Sequence, residues 1–162
     1  MKVRTLEAGS VLYHGTAVGL DEFDERYDSL AAGSFVSDSE EVARFFAGRS
    51  PRSGEEGVAR VISFRLPHPV SLPLIESRHE MEVFCEGHGI SLAGAEDMRD
   101  GILASGQPGW LVAGNYPCGG ADILLADAGS LEFIASAALT PEGDELLQAQ
   151  RAECDGDLDL VA

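Results

Sequence analysis

Three short stretches of this sequence hold residues whose types and spacing could do chemistry. The first is Leu12-Tyr13-His14-Gly15-Thr16. A histidine closes an apolar run and Gly-Thr follows at once, so an imidazole stands at a strand end where bare backbone lets a ligand approach. Imidazole there suits a hydrogen bond to a ribose hydroxyl, or general-base work. The second is Gly33-Ser34-Phe35-Val36-Ser37-Asp38-Ser39, followed by Ala43, Phe45 and Phe46. Small residues leading into a capped helix can offer an aromatic face to a planar ring. The third is Gly119-Gly120-Ala121-Asp122-Ile123-Leu124-Leu125-Ala126-Asp127. An acid at the mouth of an apolar strand is costly unless it points into a polar site. A carboxylate so placed could orient a ribose, stabilise an oxocarbenium-like transition state or activate a nucleophile. Each stretch also has a plainer reading: a histidine in a surface turn, aromatic core packing, and an aspartate capping turn amides.

The elements that must position these residues follow from local pattern. Residues 9–14 read as a strand broken by Gly15-Thr16, and 33–37 as a second short strand. Residues 17–32 read as a loop with some helix. Ser37 or Ser39 can cap the next helix, in which Val42, Phe45 and Phe46 form one apolar stripe. Residues 48–57 are turn-rich. Val58 to Leu66 alternates, with Val58, Arg60, Ile62, Phe64 and Leu66 on one face. Pro67 and Pro69 end that strand, and a short apolar stretch runs from Val70 to Ile75. Residues 76–88 and 92–106 read as helices, the second broken at Gly101. Gly109–Ala113, Ala121–Ala126 and Leu131–Ile134 read as strands. Strands with interspersed helices make the class α+β.

Composition bounds what such a chain can do. It has 162 residues, so one domain with its own core is expected. Asp plus Glu is 28, Lys plus Arg is 11, and the net charge is −17. A field of that sign repels phosphate, which disfavours nonspecific nucleic-acid binding and anionic membranes. It favours solubility, basic partners or mimicry of a polyanion. No apolar run approaches the roughly 20 residues of a spanning helix. The N-terminal MKVRTLEAGSVLYHG lacks the apolar core of a cleaved secretory signal. The cysteines are Cys85, Cys118 and Cys154, too sparse for a disulfide framework and in keeping with a reducing compartment. A cytoplasmic location is expected, with secretion lacking a cleaved signal left open. No metal is expected: Cys85, His88 and His79 are close, but no second chelating pair has zinc-site spacing. From Pro141 the chain carries seven acids and one base, which reads as an acidic, partly disordered tail over 141–162 behind a domain over 1–140.

In their order and spacing the three stretches resemble the ADP-ribosyltransferase superfamily, on its diphtheria-toxin and poly(ADP-ribose) polymerase side. The likeness is to small bacterial or phage members. LYHGT, a following Phe23, GSFVSDS and a helix bearing alanine and aromatic residues are similar to that family's first two motifs. RVISFRLPHPVSL resembles its next strand, Asp100-Gly101-Ile102 a later element, and GGADILLADAGSLEFI the last motif. The likeness spans about residues 11–134.

The resemblance implies a split antiparallel β-sheet core with flanking short helices, and NAD as the substrate. It places His14 at the histidine that binds a ribose of NAD, Gly15 at the residue whose backbone holds the nicotinamide carboxamide, and Thr16 at an assisting hydroxyl. It places Phe35 at the tyrosine that stacks on nicotinamide, with Ser37 in the same motif. Phe46 falls near a second aromatic that closes the pocket, and Asp122 at the glutamate of the last motif. Arg26 could reach a pyrophosphate. Phe for Tyr at 35 keeps the stacking face and loses the hydroxyl. Asp for Glu at 122 shortens the reach by about 1.5 Å.

The implied mechanism is SN1-like. NAD would bind bent, with nicotinamide between Phe35 and Phe46. Glycosidic cleavage would give an oxocarbenium-like species at C1′. His14 would hold the adenosine-side ribose, and Asp122 would stabilise the cation and position the acceptor. The expected function is mono-ADP-ribosylation of a macromolecular acceptor, a protein, with a basic one in keeping with the charge, of toxin, effector or defence-inhibitor type. Chain-building transfer is disfavoured by Asp122. Two alternatives stand beside it. One is an NAD glycohydrolase or an inactive NAD- or ADP-ribose-binding module, prompted by Phe35 and Asp122. The other is an acidic protein that mimics nucleic acid, prompted by the charge alone. Loops 20–32 and 104–120 would choose the acceptor, with Trp110 and Tyr116 as partner contacts or as packing.

Overall fold

Alternating apolar positions and short turns build a sheet, and two helical stripes cover one part of it. The computed structural model describes residues 1–16, 30, 32–49, 59–114, 116 and 119–139. Among them the strands are β1 (Val3–Leu6), β2 (Val11–Thr16), β3 (Ser34–Ser37), β4 (Arg60–Arg65), β5 (Val70–Ile75), β6 (Gly109–Ala113), β7 (Ala121–Leu125) and β8 (Glu132–Ala138). The helices are α1 (Glu40–Arg49), α2 (Arg78–His88) and α3 (Ala95–Ser105). The class is α+β. Arg26 and the segment 141–162 lie outside the described residues.

The eight strands lie in the order β1-β5-β6-β7-β3-β2-β4-β8. Every neighbouring pair is antiparallel except β5 and β6, which are parallel. The sheet is therefore mixed, where the resemblance implied an antiparallel one. A parallel pair needs a long crossover, and α2 and α3 supply it.

One junction differs from all others. β2 and β3 meet through a single residue pair, Tyr13 and Ser37. Their outer neighbours are held more fully: β2 pairs β4 over six positions and β3 pairs β7 over four. The sheet is split at this point into two halves, β1-β5-β6-β7-β3 and β2-β4-β8.

Both halves contribute to one apolar core. It takes Leu12, Ile62 and Phe64 from one half and Val36, Leu72, Leu111, Ile123 and Leu125 from the other. The alternation in β4 puts Ile62, Phe64 and Leu66 inside, as the sequence pattern predicts. Val61 of the opposite face is also buried, because α1 packs against β2 and β4 there. A second cluster joins Met81, Phe84 and Cys85 of α2 and Ile102 of α3 to Ile75, Trp110, Val112 and Leu124.

Local signals account for the helix ends. Ser39 Oγ accepts from the Val42 amide at 3.4 Å and opens α1. Ser77 Oγ accepts from the Glu80 amide at 3.1 Å and opens α2. Gly89 closes α2 in the left-handed conformation, at φ 68°. The expected break at Gly101 is absent: α3 runs through it. A Cβ at that position would lie 2.8 Å from Ile90 Cγ2, so the glycine serves close packing against the preceding loop.

The local pattern does not mark β1 and β5 as strands. β1 lies on the sheet edge with three of its four residues exposed, so it lacks the alternation that marks a half-buried strand. β5 contains Pro73, which has no N–H to give. Its ladder to β6 begins only at Leu74, so the proline is tolerated.

Candidate functional site

The site forms where the sheet splits. Continuing the Tyr13–Ser37 register would set Gly15 opposite Phe35, but the ladder ends first. The Phe35 carbonyl instead lies 2.7 Å from Nδ1 of His14. A carbonyl oxygen only accepts, so Nδ1 carries the proton and Nε2 of the neutral ring is the acceptor. The histidine thus bridges the two half-sheets through Nδ1.

Burial pushes the His14 pKa below its ordinary 6.5. The positive charge of Arg99 on α3 acts in the same direction, and the bond to the Phe35 carbonyl opposes both. The ring is therefore neutral at neutral pH, which keeps Nε2 an acceptor. Between the folded pKa and about 6.5 the unfolded chain binds more protons at this group, so stability falls as pH drops through that window. Below the folded pKa the contribution is constant. His14→Asn removes this loss, so the stability margin of the wild type over His14→Asn should shrink as pH is lowered from about 6.5. Urea unfolding of both chains at a series of pH values measures it; a margin that grows instead contradicts a depressed pKa.

Gly15 follows His14 and lies directly beneath α1. A Cβ built there would sit 1.9 Å from the Ala43 carbonyl oxygen and 2.8 Å from the Ala47 nitrogen. The glycine lets α1 approach the strand, and α1 brings Phe46 to the site. Thr16 ends β2, is buried, and is not part of the cavity wall.

Across the split, β3 and β7 bring the remaining groups. Phe35 of β3 is partly buried against the second core cluster. Ser37 Oγ donates to the Ala121 carbonyl at 2.6 Å and accepts from the Ser39 amide at 3.1 Å. It ties β3 to β7 at the level of Asp122, its register partner. The Ala121 amide donates to Asp38 Oδ1 at 2.9 Å, which anchors the start of β7 from the other side. Asp122 then projects from the same strand face as Leu124, opposite to Ala121 and Ile123. Its Oδ2 accepts from the Tyr116 hydroxyl at 2.8 Å.

These groups open onto one cavity of about 470 Å³. His14 and Gly15 line it from β2, Phe35 and Ser37 from β3, Phe46 from α1 and Asp122 from β7. Met81, Leu92, Ala95, Met98, Trp110 and Val112 make the apolar side. Phe46 is 42% exposed, so it stands at the rim. Its ring is edge-on to Tyr116, at 6.1 Å between centroids, and to Phe45, at 5.5 Å. The result is a few convergent polar groups in an apolar pocket of a size that suits small-molecule binding. In such a medium a carboxylate acts on developing charge far more strongly than in water.

The apolar wall was not read as a site from sequence. Met81 and Met98 fall in helical stripes that continue into core residues such as Phe84 and Ile102, and nothing local separates a stripe's core part from its cavity end. Trp110 is 1% exposed and edge-on to Phe84 at 6.0 Å, so of the two expectations, partner contact or packing, packing holds: it is core and cavity wall. Tyr116 is 4% exposed. Asp100 and Ile102 are parts of α3, exposed and buried respectively. Cys85 is buried, which pushes its thiol up to about 11. His88 Nδ1 lies 2.8 Å from the Phe84 carbonyl. Among the described residues no three His, Cys, Asp or Glu side chains stand together so as to hold a metal ion. Nor is any described helix long and apolar enough to cross a membrane.

No family model matches this chain, and no curated protein matches it. Among solved structures it is similar to a chain of the M. tuberculosis MbcT–MbcA toxin–antitoxin complex, at 17% identity and a TM-score of 0.49. The match covers 91% of this chain and 92% of that one.

Proposed function

We propose that the cavity binds NAD and that the chain is a mono-ADP-ribosyltransferase acting on a macromolecular acceptor. The observation that carries this reading is convergence. His14, Phe35, Phe46 and Asp122 come from four different elements, and all four line one cavity. They are the residues at which the sequence resembles ADP-ribosyltransferases.

Phe35 and Phe46 offer apolar faces to the nicotinamide ring. His14 Nε2 accepts from a ribose hydroxyl, since Nδ1 is committed to Phe35. Asp122 faces the glycosidic carbon as positive charge develops there. The bond from C1′ to the nicotinamide nitrogen breaks, and nicotinamide leaves with the electron pair. The acceptor nucleophile bonds to C1′ and gives up its proton. The overall charge of −17 opposes entry of the anionic pyrophosphate of NAD, and the Arg99 charge that reaches His14 offsets part of that repulsion. The surplus acidity then suits a basic acceptor.

The second reading is NAD hydrolysis, in which water takes the acceptor's place. The short reach of Asp122 favours it, because a small nucleophile needs less positioning.

The test uses NAD radiolabelled in its ADP-ribose part, incubated with the full chain and a cell lysate. Transfer of label to a macromolecule, lost in His14→Ala and Asp122→Ala, is the result expected. Nicotinamide release without a labelled acceptor selects hydrolysis. Absence of NAD binding by calorimetry overturns both and leaves the acidic-mimic reading.

A further inference from the structure

Tyr116 has an unusual double commitment. Its ring is buried and packs edge-to-face with Phe45 at 6.0 Å and with Phe46 at 6.1 Å. Val42 and Leu139 complete that cluster. Its hydroxyl leaves this apolar packing and donates to Asp122 Oδ2 at 2.8 Å. A ring held by aromatic neighbours on two sides gives its phenolic oxygen little freedom.

Asp122 needs such a partner. The cavity that it lines has a largely apolar wall, with Val112, Trp110, Met81 and Met98 in it, and a carboxylate facing apolar surface is costly without hydrogen bonds. An aspartate side chain can also rotate its carboxylate plane broadly. A short bond from a fixed donor removes that freedom on the side where the substrate must sit.

We propose that Tyr116 is a positioning residue for Asp122: its hydroxyl fixes the orientation of the carboxylate in the cavity, and its ring links that orientation to the aromatic wall of α1. The inference rests on the reading of this cavity as an NAD site. Among the described residues the other titratable groups on the wall are Tyr13 and His14. Asp38, on the Ala121 amide, pairs with Arg4 at 3.6 Å.

Tyr116→Phe removes the hydroxyl and keeps the ring packing. Nicotinamide release by the full chain is measured against NAD concentration and pH. We expect kcat to fall about tenfold, the strength of one hydrogen bond to a charged group, with KM within about twofold. The acid limb of the kcat profile moves to higher pH, because the lost bond favoured the charged carboxylate. In an Asp122→Asn background the same substitution has no further effect. An equal loss of kcat in that background, or a lower Tm with unchanged kinetics, overturns the proposal.

A second measurement keeps the two readings apart. If the wild type shows no NAD binding by calorimetry, the NAD reading fails. Carbon-13 NMR titration of the Asp122 carboxyl then decides Tyr116 alone. A titration displaced to higher pH in Tyr116→Phe supports the coupling, and coincident curves overturn it.

Discussion

Asp122→Asn should lower nicotinamide release from NAD by about 10²–10³-fold while leaving NAD affinity within a few-fold. The substitution keeps size and shape. The Asn amide oxygen can still accept from the Tyr116 hydroxyl, so the 2.8 Å contact has a replacement. The register of β7 against Ser37 and Val112 depends on backbone and is untouched. What disappears is the negative charge, in a cavity with a largely apolar wall. Preorganised electrostatic groups in such sites are worth about 10²–10³ in rate when one is removed. In the proposed reading NAD is held chiefly by Phe35, Phe46 and His14, so affinity should persist. Steady-state rates of nicotinamide release and calorimetric NAD titration measure the two effects separately. Activity within tenfold of the wild type would remove Asp122 from the chemistry.

Gly15→Ala should destabilise the fold by about 3 kcal/mol, at the upper end for overpacking. The clash is with backbone: the Ala43 carbonyl oxygen lies 1.9 Å and the Ala47 nitrogen 2.8 Å from the added carbon. No side-chain rotamer can relieve it, so α1 must lift from β2. That movement opens the cluster of Val42, Phe45 and Tyr116 and carries Phe46 away from the cavity rim. For a chain of 162 residues the loss corresponds to a Tm lower by about 6–12 °C. Thermal unfolding by circular dichroism measures it. A Tm within about two degrees of the wild type would show that helix and strand are not in this contact.

The two substitutions separate two jobs at the sheet split, one carried by β7 and one by β2. Asp122 is expected to alter chemistry with little change in stability. Gly15 is expected to alter stability first, and activity through it.

Local pattern carried much of the fold. The alternation from Arg60 to Leu66 places Ile62, Phe64 and Leu66 in the core, because one face of β4 packs inward. The serine ahead of α1 and the aromatic pair within it mark that helix correctly. β1 and β5 carry no such mark. One is an exposed edge and the other interrupts itself with Pro73, so only pairing with distant strands makes them strands. Gly101 misled for a related reason: glycine weakens a helix locally, yet here its missing side chain admits Ile90.

Chemistry along the chain determined which groups are available: an imidazole beside Gly15, an aromatic flanked by small residues at 35, a carboxylate at the start of an apolar strand at 122. These are properties of neighbours, and neighbours are what a sequence states. Tertiary structure alone decided that they meet. The β2–β3 ladder stops after one pair, His14 turns across the gap to the Phe35 carbonyl, and a helix pair more than forty residues further along closes the apolar side. It alone placed Tyr116 on Asp122. Such contacts depend on sheet register and on the space left by packed neighbours, which are set by long-range pairing rather than by any local run of residues.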